Sequence, residues 1–151
     1  EPIEDDRFDI VFATYPCWIQ DLNEACGNWR RVLKPDGRLL LNMSHPLADC
    51  MEVVGNRLVV NRNYNRPGAV RQEVFDGTGV SDRFGGWSVD LPSVCYFYRI
   101  SDVLNAISNA GFIIKNVHES YDLVSEDERE DRRSNPQLKN LPTEFTVLAC
   151  K

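Results

Sequence analysis

The sequence predicts an α/β fold, with short apolar strands alternating with amphipathic helices. Three observations carry that expectation. Leu39, Leu40 and Leu41 run without alternation, which suits a strand covered on both faces. Before them, Leu22, Ala25, Trp29, Val32 and Leu33 recur at helical spacing, giving one buried face. Earlier still, Phe8 to Ala13 is a short run that is apolar on both faces apart from Asp9 near its start. Strand, helix and strand in that order belong to a sheet with helical crossovers.

Glu1 to Arg7 is acidic and turn-like, and Phe8 to Ala13 is the first strand. Thr14 to Ile19 leaves it. Asp21 can cap the following helix, with Glu24 three residues on completing a capping-box pattern. Gly27 weakens that helix by roughly 1 kcal/mol relative to alanine. The stretch from Trp29 to Pro46 organises the chain. Lys34 is expected in the last helical turn, where the macrodipole favours a cation. Pro35 is expected to stop the helix, and Asp36-Gly37 to supply a turn with a residue free to take positive φ. Leu39 to Leu41 then form the buried strand, and Asn42 to His45 is where it emerges. Open α/β sheets bind ligands beyond the carboxyl ends of their strands.

His45 to Pro92 is the least regular part and holds most of the glycines. Asn56-Arg57, Asn65-Arg66-Pro67-Gly68 and Asp76-Gly77 are its turn signals. Arg57 to Asn63 and Ala69 to Phe75 have strand-like content, and a hairpin turning at Asn65 to Gly68 is expected. Val94 to Ile100 is a further strand-like run. Ser101 is expected to cap a helix with Val103, Leu104, Ile107 and Ala110 on one face and Gly111 at its end. Phe112 to Val117 and Glu144 to Cys150 are the last strands, joined by a polar connection from Tyr121 to Leu141.

The totals describe an ordinary globular domain: 151 residues, 42% hydrophobic and 26% charged. No apolar run approaches the roughly 20 residues of a membrane span. Neither an initiator Met nor a signal-peptide pattern is present, so the first residue reads as a cut. The balance of 17 basic and 23 acidic residues gives net −6, which argues against a general nucleic-acid surface. Five cysteines without a C-x-x-C pair argue against a disulfide framework or zinc site. Cys17, Cys95 and Cys150 lie in apolar stretches and are expected as buried free thiols of a cytoplasmic protein.

The helix, the RVLKPDGRLLL segment and its polar strand end resemble class I S-adenosylmethionine-dependent methyltransferases, of the small-molecule type. In that family the segment covers the helix after the fourth strand, and the fifth strand. Glu1 to Leu22 is similar to the family's acidic loop, fourth strand and following segment. Tyr96 to Ser120 is similar to its helix and strand after a cap insertion. The family's Gly-rich cofactor loop has no counterpart, since the chain contains no G-x-G-x-x-G. The resemblance therefore implies the C-terminal half of a Rossmann-like, doubly wound sheet: the last four strands, the final one antiparallel, with a β-rich cap. Residues 1–45 would be strand, helix and strand, 46–93 the cap insertion, and 94–151 the helix and terminal strands. It also implies S-adenosyl-L-methionine as cofactor, in a site incomplete in this chain.

Methyl transfer from a sulfonium needs alignment of a nucleophile and exclusion of water more than a catalytic triad. The resemblance places Ala13, Thr14, Tyr15 and Trp18 along the cofactor, with ordinary core packing of Tyr15 and Trp18 as the alternative. A histidine pair that many relatives carry around Cys17 and Trp18 is absent. His45, in Ser44-His45-Pro46, is the catalytic candidate, because a neutral imidazole there accepts a proton or orients a hydroxyl. The plainer alternative is a histidine that satisfies a loop group. Ser44, His45, Trp87, Tyr96, Tyr98 and Arg99 are the expected substrate contacts. Arg99 beside an aromatic wall suits an anionic or aromatic acceptor, and pairing with Asp102 is its alternative. His118 is expected to be structural or exposed.

The function implied is methyl transfer to a small-molecule acceptor, without nucleic acid or membrane. The alternative is a non-catalytic partner module. Either way Phe8 to Ala13 would leave one strand edge bare, inviting self-association or a companion N-terminal half.

Overall fold

The computed structural model describes residues 3–54, 57–65, 96–120 and 141–151. The elements are β1 (Phe8–Thr14), α1 (Leu22–Val32), β2 (Leu33–Ser44), α2 (Pro46–Asp49), β3 (Met51–Val54), β4 (Arg57–Val60), α3 (Ile100–Asn109), β5 (Ile113–Ser120) and β6 (Glu144–Cys150). Four strands form one mixed sheet in the order β1-β2-β6-β5. β1 runs parallel to β2, and β6 runs antiparallel to both its neighbours.

Asp21 caps α1 as its position suggested, its carboxylate accepting from the Glu24 N–H at 3.0 Å. The end of α1 differs from expectation. The helix stops at Val32, and Leu33 is already extended. Lys34 is therefore not a last-turn cation; Arg30 and Arg31 fill that place. Lys34 instead reaches Asp9 on β1, with its Nζ 2.9 Å from both carboxylate oxygens. Leu33 pairs with Phe8 and Arg38 with Ile10, so residues 34–37 bulge out of the ladder. Gly37 also serves differently from expectation, because its φ is not positive. Close approach requires it: a Cβ there would lie 2.9 Å from both the Leu33 side chain and the Lys34 carbonyl oxygen.

From Gly37 onward β2 alternates strictly, as does all of β6. Leu39, Leu41 and Met43, with Phe145, Val147 and Ala149, face the core and are buried. Leu22 and Cys26 of α1 and Val103, Ala106 and Ile107 of α3 complete that core, so both helices cover one face. On the opposite face Leu40, Asn42, Thr146 and Leu148 are only half-buried. β1 ends the sheet, and Ile10 and Phe12 remain 61% and 62% exposed. Among the described residues no strand pairs with its outer edge.

The segment 96–99, expected as part of a strand, is irregular, and Arg99 rather than Ser101 caps α3. The Arg99 N–H is taken by Asp102 of the first turn, which explains the shift. Gly111 ends the helix as expected, with φ of 87° and its N–H donating to Ser108. The residues from Arg57 pair with those before them, β4 antiparallel to β3, and the expected hairpin across Asn65 to Gly68 lies outside the described residues. The run from Ala69 to Phe75 and the connection from 121 to 140 lie outside the described residues. Among the thiols, Cys26 and Cys50 are the buried ones, while Cys17 and Cys150 are half-buried; Cys95 lies outside the described residues. Burial pushes the Cys26 thiol up to about 12, so it stays protonated. No helix among the described residues is long and apolar enough to cross a membrane.

Candidate functional site

The parallel strands β1 and β2 end side by side, and the chain leaves β1 through a tight corner. The Tyr15 N–H donates to the Asn42 carbonyl at 2.9 Å, extending the ladder one residue past Thr14. Tyr15 itself has φ of 45°, a left-handed conformation costly for a bulky residue. The Cys17 N–H turns back to the Tyr15 carbonyl at 2.7 Å, and Pro16 is fully buried beneath the turn. Ala13 and Tyr15 are half-buried, Thr14 is exposed, and Trp18 is 65% exposed. Trp18 is thus not a core aromatic; its ring stands on the surface beside the strand ends.

The segment before α3 closes over this corner. The Tyr96 N–H donates to the Cys17 carbonyl at 2.5 Å. The Tyr98 hydroxyl lies 2.5 Å from the Ile19 carbonyl and 2.9 Å from the Gln20 carbonyl. Burial, with Asp21, Tyr96 and Asp102 nearby, pushes that phenol up to about 12, so it remains a donor. Arg99 is held by Asp102 through its Nε at 3.0 Å and Nη2 at 2.8 Å. That pair holds the Asp102 carboxyl below the usual carboxylate range and the guanidinium above its ordinary value. Arg99 thus takes the pairing that its sequence neighbour offered. Arg62, beyond β4, lies over the Phe97 ring at 5.5 Å. Replacing Tyr98 by Phe should cost about 1 kcal/mol of stability and speed amide exchange at Cys17 to Gln20, measured by urea denaturation and hydrogen exchange.

His45 is 5% exposed at the end of β2, where it caps α2. Its Nδ1 accepts from the Leu47 N–H at 3.2 Å, which leaves the proton on Nε2. Nε2 donates to Glu119 Oε1 at 3.0 Å, and the ring stands edge-on to Phe145. Glu119, on β5, was not visible from sequence as a partner, since only the sheet order brings it to His45.

A polar row also crosses the sheet face opposite α1 and α3. Register aligns Thr14, Asn42, Thr146 and His118. Asn42 Nδ2 donates to Thr146 at 3.0 Å and to Glu144 at 3.4 Å. Partial burial raises the Glu144 carboxyl above its ordinary value. His118 is exposed at the end of this row, as expected. The signal for Asn42 was one amide inside an apolar strand. Ser44 is half-buried on the same face, and Trp87 lies outside the described residues. A shallow open depression lined by Ile19, Gln20, Asp21 and Glu24 sits at the start of α1, beside the corner. No metal-binding cluster occurs among the described residues.

Comparison with known proteins places this architecture. Residues 1–41 match the family model described as a methyltransferase domain. No curated protein matches the chain. Solved structures with the same fold include a putative S-adenosylmethionine-dependent methyltransferase from Listeria monocytogenes, 18% identical with a TM-score of 0.70. Its match covers 100% of this chain and 64% of the other. A second, from Mesorhizobium loti, is 15% identical with a TM-score of 0.67, covering 99% of this chain and 64% of that one. A geranyl diphosphate C-methyltransferase from Streptomyces coelicolor, solved with S-adenosyl-L-homocysteine, is 12% identical with a TM-score of 0.51, covering 99% and 49%. The chain therefore carries the fold of S-adenosylmethionine-dependent methyltransferases and spans less than two thirds of the length of these relatives.

Proposed function

We propose that this chain is the substrate-side part of an S-adenosylmethionine-dependent methyltransferase acting on a small molecule. The observation that carries the reading is the corner after β1. Its aromatic and hydroxyl groups, Thr14, Tyr15 and Trp18, gather at the ends of two parallel strands, where such sheets bind ligands. The same residues fall inside the stretch that matches the methyltransferase domain.

The residues present fit one flank of the cofactor. Trp18 offers an exposed ring and Thr14 an exposed hydroxyl, with Ala13 leaving room beside them. A glycine-rich strand-turn-helix for the rest of the cofactor has no counterpart among the described residues. S-adenosylmethionine, when bound, supplies the activated methyl group; the chain's own residues position the acceptor. Ser44 and His45 would border the acceptor from β2, and Tyr96 from the segment before α3, with Trp87 as a candidate covering residue. Tyr98 and Arg99 are bound to Ile19, Gln20 and Asp102, so they serve that side by fixing its wall. Both ring nitrogens of His45 are engaged, Nδ1 by the Leu47 N–H and Nε2 by Glu119 at 3.0 Å, so Nε2 would accept a proton from a hydroxyl acceptor only after a tautomer change that moves its proton to Nδ1 and breaks both bonds.

Titration with S-adenosyl-L-homocysteine, followed by amide and indole chemical shifts, tests the reading. Weak binding is expected, with shifts centred on Thr14, Tyr15 and Trp18. Absence of shifts there at high ligand concentration would sink the proposal. Micromolar binding would support the cofactor but overturn the incompleteness of the site.

A further inference from the structure

Register places Glu144 of β6 between Ser44 of β2 and Ser120 of β5, and all three are half-buried on the sheet face opposite α1 and α3. Paired residues share a face, so the three side chains stand together at the ligand end of the sheet. Two backbone bonds fix that end. The His45 N–H donates to the Thr143 carbonyl at 2.8 Å, and the Thr143 N–H to the Ser120 carbonyl at 3.0 Å. One row further in, the Asn42 amide donates to Thr146 and to Glu144. Both its hydrogens are thereby engaged, and Oδ1 is left to accept. The set is one-sided: a carboxylate, an amide oxygen and hydroxyls able to accept. Among the described residues no lysine or arginine pairs with Glu144, whose side chain takes the 3.4 Å bond from Asn42. Burial there works against its charge, which raises the carboxyl above its ordinary value. A half-buried carboxylate without a cation costs stability, so the fold itself gives no reason for it.

We propose that this row binds an organic ammonium group, and that the methyl acceptor is an amine-bearing small molecule anchored there by Glu144. The ammonium site stands on the row itself; its use by a methyl acceptor rests on the function proposed above. An ammonium brings three donors and one positive charge. Glu144 meets the charge, and Asn42 Oδ1 with the hydroxyls of Ser44 and Ser120 meets the remaining donors. Partial burial strengthens such a charge-assisted bond. An anionic group would meet Glu144 as a like charge. Arg99, the cation expected to favour an anionic acceptor, is already paired with Asp102. The row also lies at a useful distance from the cofactor flank. Thr14 pairs with Asn42, so it stands two strands from β6. At the ordinary strand spacing that is roughly 10 Å. A molecule anchored at Glu144 thus offers to the cofactor an atom about that far from its ammonium, and Glu144 selects the acceptor without touching the reacting atoms.

Titration of the full chain with butylammonium, butyrate and butanol tests it, followed by backbone amide shifts and the side-chain amide signals of Asn42. Butylammonium is expected to shift Asn42, Glu144 and Ser120 saturably, with butyrate and butanol at least about tenfold weaker. Glu144→Gln keeps the shape of the side chain and removes its charge. It should weaken butylammonium by a similar factor while circular dichroism stays unchanged. Equal binding of the three probes overturns the proposal, as does the absence of any saturable shift with butylammonium. So does a Glu144→Gln chain that binds butylammonium as tightly as wild type. If that substitution disturbs the row, the ranking of the three probes on the wild-type chain decides alone. The S-adenosyl-L-homocysteine titration is read on different signals, those of Thr14, Tyr15 and Trp18. Its failure with butylammonium bound keeps the ammonium site and overturns its use by a methyl acceptor. Its success without butylammonium binding keeps the methyltransferase reading and overturns the ammonium site.

Discussion

Phe145→Ala should destabilise the fold by about 3–5 kcal/mol, the usual cost of removing a fully buried ring. Phe145 has no exposed surface and lies on β6, the strand between β2 and β5. Its register neighbours are Met43 on one side and Glu119 on the other. Its ring also backs the His45 imidazole, edge to face at 6.1 Å. Truncation would therefore open a cavity in the core and release the ring that bridges β2 to β5 through Glu119. A domain is stable by only about 5–15 kcal/mol, so much of the margin disappears. The urea midpoint is the measurement, and a loss below about 1 kcal/mol would mean that the site is far less tightly packed than described.

Gly37→Ala is the second large effect, expected at about 1–3 kcal/mol from overpacking. The cause is contact, not backbone dihedral strain. An added Cβ would meet the fully buried Leu33 side chain and the Lys34 carbonyl oxygen at 2.9 Å. One of these is backbone inside the bulge between β1 and β2, and it cannot swing aside. The Gly37 carbonyl also accepts from the Lys151 N–H at 2.9 Å, so a shift there disturbs β6 as well as β2. The same denaturation series checks it. A neutral alanine would show that the bulge relaxes freely and that the glycine is not required by packing.

The fold was legible where side-chain periodicity reports local structure. The runs Phe8 to Ala13 and Glu144 to Cys150, the capped start of α1 and the glycine stop after α3 are all pattern-bearing, and they fall where the pattern put them. What misled were residues with two competing uses. Lys34 and Gly37 suit a helix end and a turn, yet they form a bulge because Leu33 is already paired with Phe8. Ser101 is a good cap by type, but Arg99 with Asp102 closes the helix start two residues earlier. Candidate residues at the strand ends could be named from sequence, and their partners across the sheet could not. His45 could be named from Ser44-His45-Pro46, whereas Glu119 is far from it in sequence and becomes its partner only through strand order. The same distance hid the ties from Tyr98 to Ile19 and Gln20.

The place of β6 has a consequence for how the chain acquires its structure. β6 lies near the end of the sequence, yet it sits inside the sheet, with β2 on one flank and β5 on the other. Neither of those strands is in contact with the other until β6 arrives. Folding therefore cannot follow the order of synthesis. The nascent strands wait, with open edges, for a segment about a hundred residues downstream of β2. Contacts of that separation carry a large loop-closure cost and slow the search. Assembly of the sheet should therefore be late and cooperative.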